Sequence, residues 1–430
     1  MTTVLMLKWQ PEVVGTFLAS GCDVHLVLDD YDHGTERPDP DILGKCLAVY
    51  RVSSFDVLEE VAAVAADLLL DDVRPDVVFA HTEFSQIAAG YLRSLLGESA
   101  SDGVVRTGGR ELGLRDKRIM KRRVGAAGVR VTRWCSLRDL GDAAEVERVV
   151  AELQFPVVVK PAFGFGAMNT HRADDPDQFR AILADYGYEP LIRARQLIVE
   201  EFVEGRELHI DALWANGEPC YFHVSAYTAT RLALADEVKA IDDGAIEDTG
   251  ILDGSLILNA AEHPDLYARA LAMQRAVNEA LDIRHGPTHT EVFESATGTL
   301  TFSETAARMG GGYGPVMHSA YLGESVWKLT GRALTTGGIP PRNHPTGHVG
   351  ALNIRPTHSG RIVAMPDEEQ LLAEEGVLDY ARIRNVGETL SLRTGTYWCA
   401  YVALRADTEE EYMERARHLL ARHKVVTDAD

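Results

Sequence analysis

The sequence predicts an α/β fold at its amino end that runs on into α+β units. Three observations carry this. Near the start, short apolar strands alternate with helices, a pattern that builds a parallel sheet covered on both faces. In the third quarter, two β-rich runs, His289-Thr290-Glu291-Val292-Phe293 and Leu300-Thr301-Phe302-Ser303-Glu304-Thr305-Ala306, flank Ser295-Ala296-Thr297-Gly298 and read as a hairpin. After Arg332, strand patterns at 350–365 and 389–404 and a helix at 409–422 predict a small α+β unit.

The elements follow in order. Residues 4–7 form an apolar strand, and 11–20 a helix stopped by Gly21. A second strand at 24–28 ends on Asp29-Asp30, and a helix rich in Ala, Val and Leu spans 55–70. Arg74-Pro75 breaks the chain before a buried-type strand at 76–80 and a helix at 84–96. Ligands of such sheets lie beyond the carboxyl ends of the strands. That places Asp29, His81 and Glu83 near a substrate, although strand-end loops also carry plain solvated residues. Residues 99–109 are polar and glycine-rich, hence a linker. The basic cluster Arg115, Lys117, Arg118, Lys121, Arg122 and Arg123 reads as a solvated helix face or as a local anion site. Residues 128–132 predict a turn into a strand. Pro156 opens a strand that Pro161 closes, so Lys160 sits at its end, before Phe163-Gly164-Phe165-Gly166-Ala167-Met168. The lysine precedes the glycines, so this is neither a P-loop nor a dinucleotide fingerprint. Residues 197–211 predict strand, turn at Gly205, and strand; 229–253 predict an irregular, mobile loop; 265–281 a helix behind Pro264. Gly337-Gly338 and Pro340-Pro341 mark a boundary.

A chain of 430 residues exceeds one compact core, so two or three domains are expected. The formal net charge of −22 argues against nucleic-acid or anionic-membrane partners, but leaves room for a nucleotide, which needs only a local positive site. The five cysteines have no metal or redox spacing, which predicts buried thiols in a reducing compartment. No apolar run reaches membrane-spanning length and the start lacks a signal-peptide pattern, so a cytoplasmic location is expected.

The hairpin carries the chemistry. A two-residue loop at Thr297-Gly298 pairs Glu291 with Glu304 on one face, their Cβ atoms about 5 Å apart. Facing carboxylates repel unless a cation lies between them, and Mg²⁺ suits a pair of oxygen ligands with phosphates completing its shell. An odd-length loop would put the two acids on opposite faces. Arg308 and Gly310-Gly311-Gly312 follow, a cation and then open backbone, which suits an anionic substrate beside a metal-bound phosphate.

A lysine after a linker, a strand-end lysine before a glycine loop, an acidic hinge, then Glu…Glu-x-x-x-Arg: in that order these signals resemble the ATP-grasp superfamily. The resemblance is good over residues 111–325. Within it, Glu304-Thr305-Ala306-Ala307-Arg308 after His289-Thr290-Glu291 looks most like the carboxylate–amine ligases, including bacterial L-amino-acid ligases that make dipeptides. The implied organisation is an amino-terminal parallel-sheet α/β domain (1–110), an ATP-grasp domain (111–335, its lid subdomain about 120–200), and a small carboxy-terminal α+β domain (336–430).

The resemblance also implies roles. Lys117 and Lys160 contact ATP phosphates, and Phe163, Gly164, Gly166, Ala167 and Met168 belong to a lid over them. Glu200, Glu201, Phe202 and Val203 form the hinge at the adenine edge, and Glu207 holds the ribose. Glu291 and Glu304 bind Mg²⁺, with Mn²⁺ an admissible substitute. Arg308 grips the substrate carboxylate or acyl phosphate, with His289, Gly310, Gly311 and Glu83 beside it. Many members carry Asn two residues after the second metal glutamate; Ala306 stands there instead, which fits the amino-acid-ligase branch. The implied reaction joins a small carboxylic acid and an amine through an acyl phosphate, releasing ADP and phosphate. A phosphotransferase on the same scaffold, a ligase acting on a carrier-bound acid, and a homodimer are all compatible with it.

Overall fold

The structure is a computed structural model and describes residues 1–97, 109–246, 249–336, 347–392 and 397–429. The linker expected at 99–109 falls outside it except for Gly109, which opens a helix, Gly109–Arg115. The boundary at Gly337-Gly338 and Pro340-Pro341 also lies outside the described residues.

The amino-terminal sheet is parallel as expected, with strand order Ala48–Arg51, Asp23–Leu28, Thr3–Leu7, Val77–Ala80. Side chains alternate along each strand, so one sheet feeds two cores. Leu5, Leu7 and Val27 pack under the helices Leu58–Leu70 and Gln86–Leu96. Val4, Met6, Leu26 and Leu28 pack with Val13, Val14 and Phe17 of the helix Pro11–Ala19. The strand Ala48–Arg51 is an edge strand with no buried residue, which is why its sequence carries no apolar run.

Two antiparallel sheets form the rest of the site's frame. A four-stranded sheet has the order Trp134–Leu137, Leu197–Glu201, Val157–Pro161, His171–Ala173. An eight-stranded sheet runs Leu300–Ala306, Gly286–Glu294, Arg206–Ala215, Glu218–Tyr227, Gly254–Ile257, His348–Ile354, Ala400–Ala406, Val377–Arg382. The turn at Gly205 is therefore a crossing between sheets: Leu197–Glu201 pairs in the smaller one and Arg206–Ala215 in the larger. Gly205 is required there, because a Cβ would lie 2.5 Å from the Glu294 carbonyl oxygen. The eight-stranded sheet continues from the middle of the chain into the strands after residue 347, and the helix Glu409–Arg422 covers its far end through Tyr412, Ala416 and Leu419.

The hairpin reaches the expected register by an unexpected route. The innermost pair is Glu294 with Leu300, so the loop holds residues 295–299 and is odd in length. Its closure is the hydrogen bond from Ser295 N–H to the Thr299 carbonyl at 3.0 Å. A β-bulge then leaves Ser303 without an opposite residue. Val292 faces Phe302 before the bulge and Glu291 faces Glu304 after it. The extra residue re-aims the strand, placing Phe302 in the core and Glu304 on the opposite face. An odd loop and a bulge thus cancel, and the acids meet.

The segment 229–253, expected to be irregular, contains the helix Arg231–Asp242. Thr230 caps it and Leu234, Val238 and Ile241 anchor it by burial, an i, i+4, i+7 stripe that polar neighbours obscure in the sequence. The expected strand stretch 389–404 resolves into Thr389–Leu390 and Ala400–Ala406. Among the described residues no helix is long and apolar enough to cross a membrane.

Phe302 is fully buried with Leu114, Met120, Val124, Val277 and Leu281, and so joins the hairpin to three helices. Phe302→Ala should destabilise the protein by about 3–5 kcal/mol. Chemical denaturation followed by circular dichroism checks this; a loss below about 1 kcal/mol would mean the bulge is not pinned by this core contact.

Candidate functional site

One cavity of about 880 Å³ lies where the three sheets meet. Its walls include the residues that the resemblance assigned to the site, except Phe163. Each wall follows from strand alternation. Along Arg206–Ala215, Leu208, Ile210, Ala212 and Trp214 enter the core, which turns Glu207, His209 and Asp211 to the cavity. Along Gly286–Glu294 the same rule turns His289 and Glu291 inward, register partners of Asp211 and His209.

Glu304 collects the lysines. Its Oε2 lies 3.3 Å from Lys160 Nζ and 3.4 Å from Lys117 Nζ. Burial alone would raise the Glu304 carboxyl, but Lys117, Lys160 and Lys121 outweigh it and hold it at about 2. Lys160 also lies 3.3 Å from Glu200 Oε1, and Lys121 lies 3.2 Å from Glu200 Oε2. Burial works against the Lys160 ammonium, yet the charges of Glu200 and Glu304 prevail and raise its pKa. Lys121 fares differently: burial dominates over Glu200 and lowers its pKa to about 8. Lys117 and Lys121 are buried, so the basic cluster is no solvated face. They sit four residues apart on one side of the helix Lys117–Ala126.

Glu291 accepts from the Tyr227 hydroxyl at 3.2 Å and lies 3.8 Å from His289 Nε2. Glu207 accepts from the Arg231 backbone N–H at 2.7 Å, and burial followed by the Glu291 charge raises its carboxyl to about 7. At the hinge, the Glu201 and Phe202 amides already donate to the Arg133 and Pro156 carbonyls, so a purine edge there would have to meet other hinge groups. The Glu201 side chain points to Arg133 and Gln154.

At the other end, Glu83 bridges two guanidiniums. Arg115 lies 2.5 Å from its Oε2, and Arg308 Nη2 2.9 Å from its Oε1. Burial would raise this carboxyl; Arg115 and Arg308 together lower it. His81 also lines the cavity, while Asp29 does not: its carboxylate is tied to Lys8 at 2.7 Å. Gly310 packs so closely on His289 and Asp211 that a Cβ would lie 2.9 Å from His289 Nδ1. Gly311, by contrast, has open space at that position, and Gly312 adopts φ +61°.

The loop after Lys160 is held by the same cations. Lys117 Nζ donates to the Gly164 carbonyl at 2.6 Å, and Arg115 Nη2 to the Phe163 carbonyl at 2.9 Å. Phe163 thus contributes its backbone and not its ring. Phe165 packs edge-on against Phe84, centroids 5.0 Å apart. Sequence reasoning named Lys121 only within the basic cluster, and it missed Thr132, Asp211, Arg231 and Tyr227. The alternation Glu207-x-His209-x-Asp211 was the available signal for Asp211; nothing local marks Tyr227 or Arg231.

The architecture is that of the ATP-grasp fold. Residues 153–249 match the ATP-grasp domain family. The chain is 28% identical over 255 residues to the L-arginine-specific L-amino acid ligase of Bacillus subtilis, covering 59% of this chain and 56% of that one. It is 26% identical over 194 residues to the D-alanine–D-alanine ligase of Geobacillus thermodenitrificans, covering 44% and 49%. The matches span about half the length of these curated relatives. The L-amino acid ligase of Bacillus licheniformis superimposes with a TM-score of 0.74 at 15% identity, over 100% of this chain and 99% of that one.

Arg115 holds both Glu83 and the Phe163 carbonyl. Arg115→Ala should therefore speed amide exchange severalfold across 163–168 in the ligand-free protein, while the strand Val157–Pro161 stays protected. Hydrogen exchange with mass spectrometry reads this directly; unchanged exchange would show that the loop is fixed by other contacts.

Proposed function

We propose that the protein is an ATP-dependent ligase that joins the carboxylate of an amino acid or similar small acid to an amine, releasing ADP and phosphate. The observation that carries this is the pair Glu291 and Glu304, opposite each other on one cavity wall with Lys117 and Lys160 at one end and Arg308 at the other. The relatives' names, L-amino acid ligase and D-alanine–D-alanine ligase, point to the same reaction class.

Two facing carboxylates, with lysines on Glu304 and a tyrosine hydroxyl and the His289 imidazole beside Glu291, offer hard oxygen ligands of the kind Mg²⁺ takes. When bound there, Mg²⁺ would neutralise phosphate charge. Lys117 and Lys160, now paired with Glu304, are poised to turn to phosphate oxygens when the cation takes over that carboxylate. Glu207 lies near the hinge and suits ribose hydroxyls. The acid's carboxylate oxygen bonds to the γ-phosphorus as the bridging P–O bond breaks and ADP leaves. The amine nitrogen then attacks the acyl carbon, the C–O bond to phosphate breaks, and the amine loses its proton to solvent. Such catalysis rests on positioning and charge neutralisation.

Arg308 supplies the grip on the acid. Its planar guanidinium can hold a carboxylate through two parallel hydrogen bonds, which Lys cannot match. Glu83 holds this guanidinium, so an incoming carboxylate exchanges with a carboxylate already there. Arg115 stays on Glu83 and spares that acid an unpaired buried charge. The loop at 163–168 would close over the reacting groups and exclude water.

Pairs of amino acids incubated with ATP and Mg²⁺ test the reaction, with ADP, phosphate and product mass followed together. ADP formation that requires both acid and amine, with a condensation product, is the expected result. AMP release, or a phosphorylated product accumulating without amine, would replace the ligase reading with an adenylating enzyme or a phosphotransferase. Glu304→Gln should cut turnover by about 10²-fold or more with the fold retained. Lys160→Ala should weaken ATP binding about tenfold, the value of one charge-assisted hydrogen bond. Arg308→Lys should lose most activity while calorimetry shows ATP binding intact.

A further inference from the structure

Beneath the Glu291 wall, a second group of polar side chains is buried that the reaction above does not use. Asp211 is 1% exposed and sits among three imidazoles. His209 Nδ1 lies 2.5 Å from its Oδ2 and His289 Nδ1 2.9 Å from its Oδ1. His318, from the helix Gly314–Leu322, brings its Nε2 within 3.3 Å of Oδ2. We infer that Asp211, His209 and His289, with His318 as fourth donor, form a binding site for a divalent transition metal ion of the zinc class, distinct from the Glu291–Glu304 pair.

Four observations carry this. One ligand atom from each of His209, Asp211 and His289 falls within 4.8 Å of the others, so a single ion can reach all three. The His318 side chain is fully buried, yet its Nε2 makes no hydrogen bond, although it is aimed at the same carboxylate. The His318 nitrogen converges on the same carboxylate oxygen that His209 Nδ1 reaches, and a metal ion there would take both nitrogens as ligands. The outward ring nitrogens are already supported. His209 Nε2 meets Ser255 Oγ at 2.9 Å, which meets the Tyr313 hydroxyl at 3.0 Å, and His318 Nδ1 meets His223 Nδ1 at 3.1 Å. Support of that kind is what orients histidine ligands in metal sites. Finally, Gly310 caps the group so tightly that no side chain fits between it and the His289–Asp211 pair.

The donor set chooses the ion. Imidazole nitrogens with one carboxylate suit zinc and its neighbours, whereas Mg²⁺ seeks oxygens alone. In a tetrahedral zinc site with bonds near 2.0–2.1 Å, neighbouring donors stand about 3.3 Å apart. His318 and Asp211 already have that spacing; His289, at 2.9 Å, and His209, at 2.5 Å, would open from the carboxylate by about 0.4 and about 0.8 Å through side-chain rotation. Four protein donors leave no open position, so the ion would tie the strands Arg206–Ala215 and Gly286–Glu294 to the helix Gly314–Leu322. The site stands whether or not the chain is a ligase.

The full-length protein, stripped with a chelator, is titrated with Zn²⁺ in millimolar Mg²⁺ by calorimetry, and with Co²⁺ by visible absorption. Expected are one saturable Zn²⁺ equivalent, the intense visible band of four-coordinate Co²⁺, and a raised melting temperature with Zn²⁺. His289→Asn and His318→Asn should each weaken Zn²⁺ binding at least about tenfold. Glu304→Gln should bind Zn²⁺ as the natural protein does. Absence of saturable binding in the natural protein overturns the inference without need of any variant. So does unchanged affinity in both histidine variants. Loss of Zn²⁺ binding in Glu304→Gln would also overturn it, by placing the ion on the glutamate pair, and would leave the ligase reading untouched.

Discussion

The opposition of Glu291 and Glu304 across one strand pair is the constraint on which the cavity depends. Two carboxylates at that spacing repel, and burial makes both charges costly. The protein offsets this with cations, not with protons. Lys117 and Lys160 lie on Glu304, and Tyr227 donates to Glu291. Each lysine comes from a different element, so the helix Lys117–Ala126, the strand Val157–Pro161 and the hairpin must all be in place before the acids are stable side by side.

The same logic extends outward as a chain of shared charges. Glu304 is shared by two lysines, Lys160 by two glutamates, and Glu200 by Lys160 and Lys121. At the far end Glu83 is shared by Arg115 and Arg308. Such a network holds charged groups in place. It also makes them exchangeable, since an anionic ligand replaces one carboxylate partner with another and no charge is left bare. A ligand that brings its own cation can therefore enter with little electrostatic rearrangement beyond the pairs it replaces.

The cavity is a property of three sheets meeting. The parallel sheet delivers His81 and Glu83 from a strand end. The four-stranded sheet delivers Lys160 and Glu200, whose strands pair with each other. The eight-stranded sheet delivers Glu207, Asp211, His289, Glu291 and Glu304 through period-two alternation on three adjacent strands. Gly205 lets the chain cross from the second sheet to the third, and Gly310 lets the loop after Arg308 lie flat on the His289–Asp211 pair.

The sequence by itself determined the elements with strong periodicity: the parallel α/β start, the strand ending at Lys160, the helix at 264–281, and the two runs carrying the paired acids. It also contained the residues of the proposed site, a lysine, a glutamate pair and an arginine in that order, and the fold brings them to one cavity. Tertiary structure alone decided the register. Local counting gave a two-residue loop, while the actual loop spans five residues and the bulge at Ser303 restores the pairing, since burying Phe302 and facing Glu304 to the lysines both require it. Tertiary structure also decided that Lys117 and Lys121 are interior, that the 231–242 segment is a helix, and that Asp211 gathers histidines from three elements. Those outcomes depend on contacts between residues far apart in the chain, such as Lys117 with Glu304, and no local pattern of side chains encodes them.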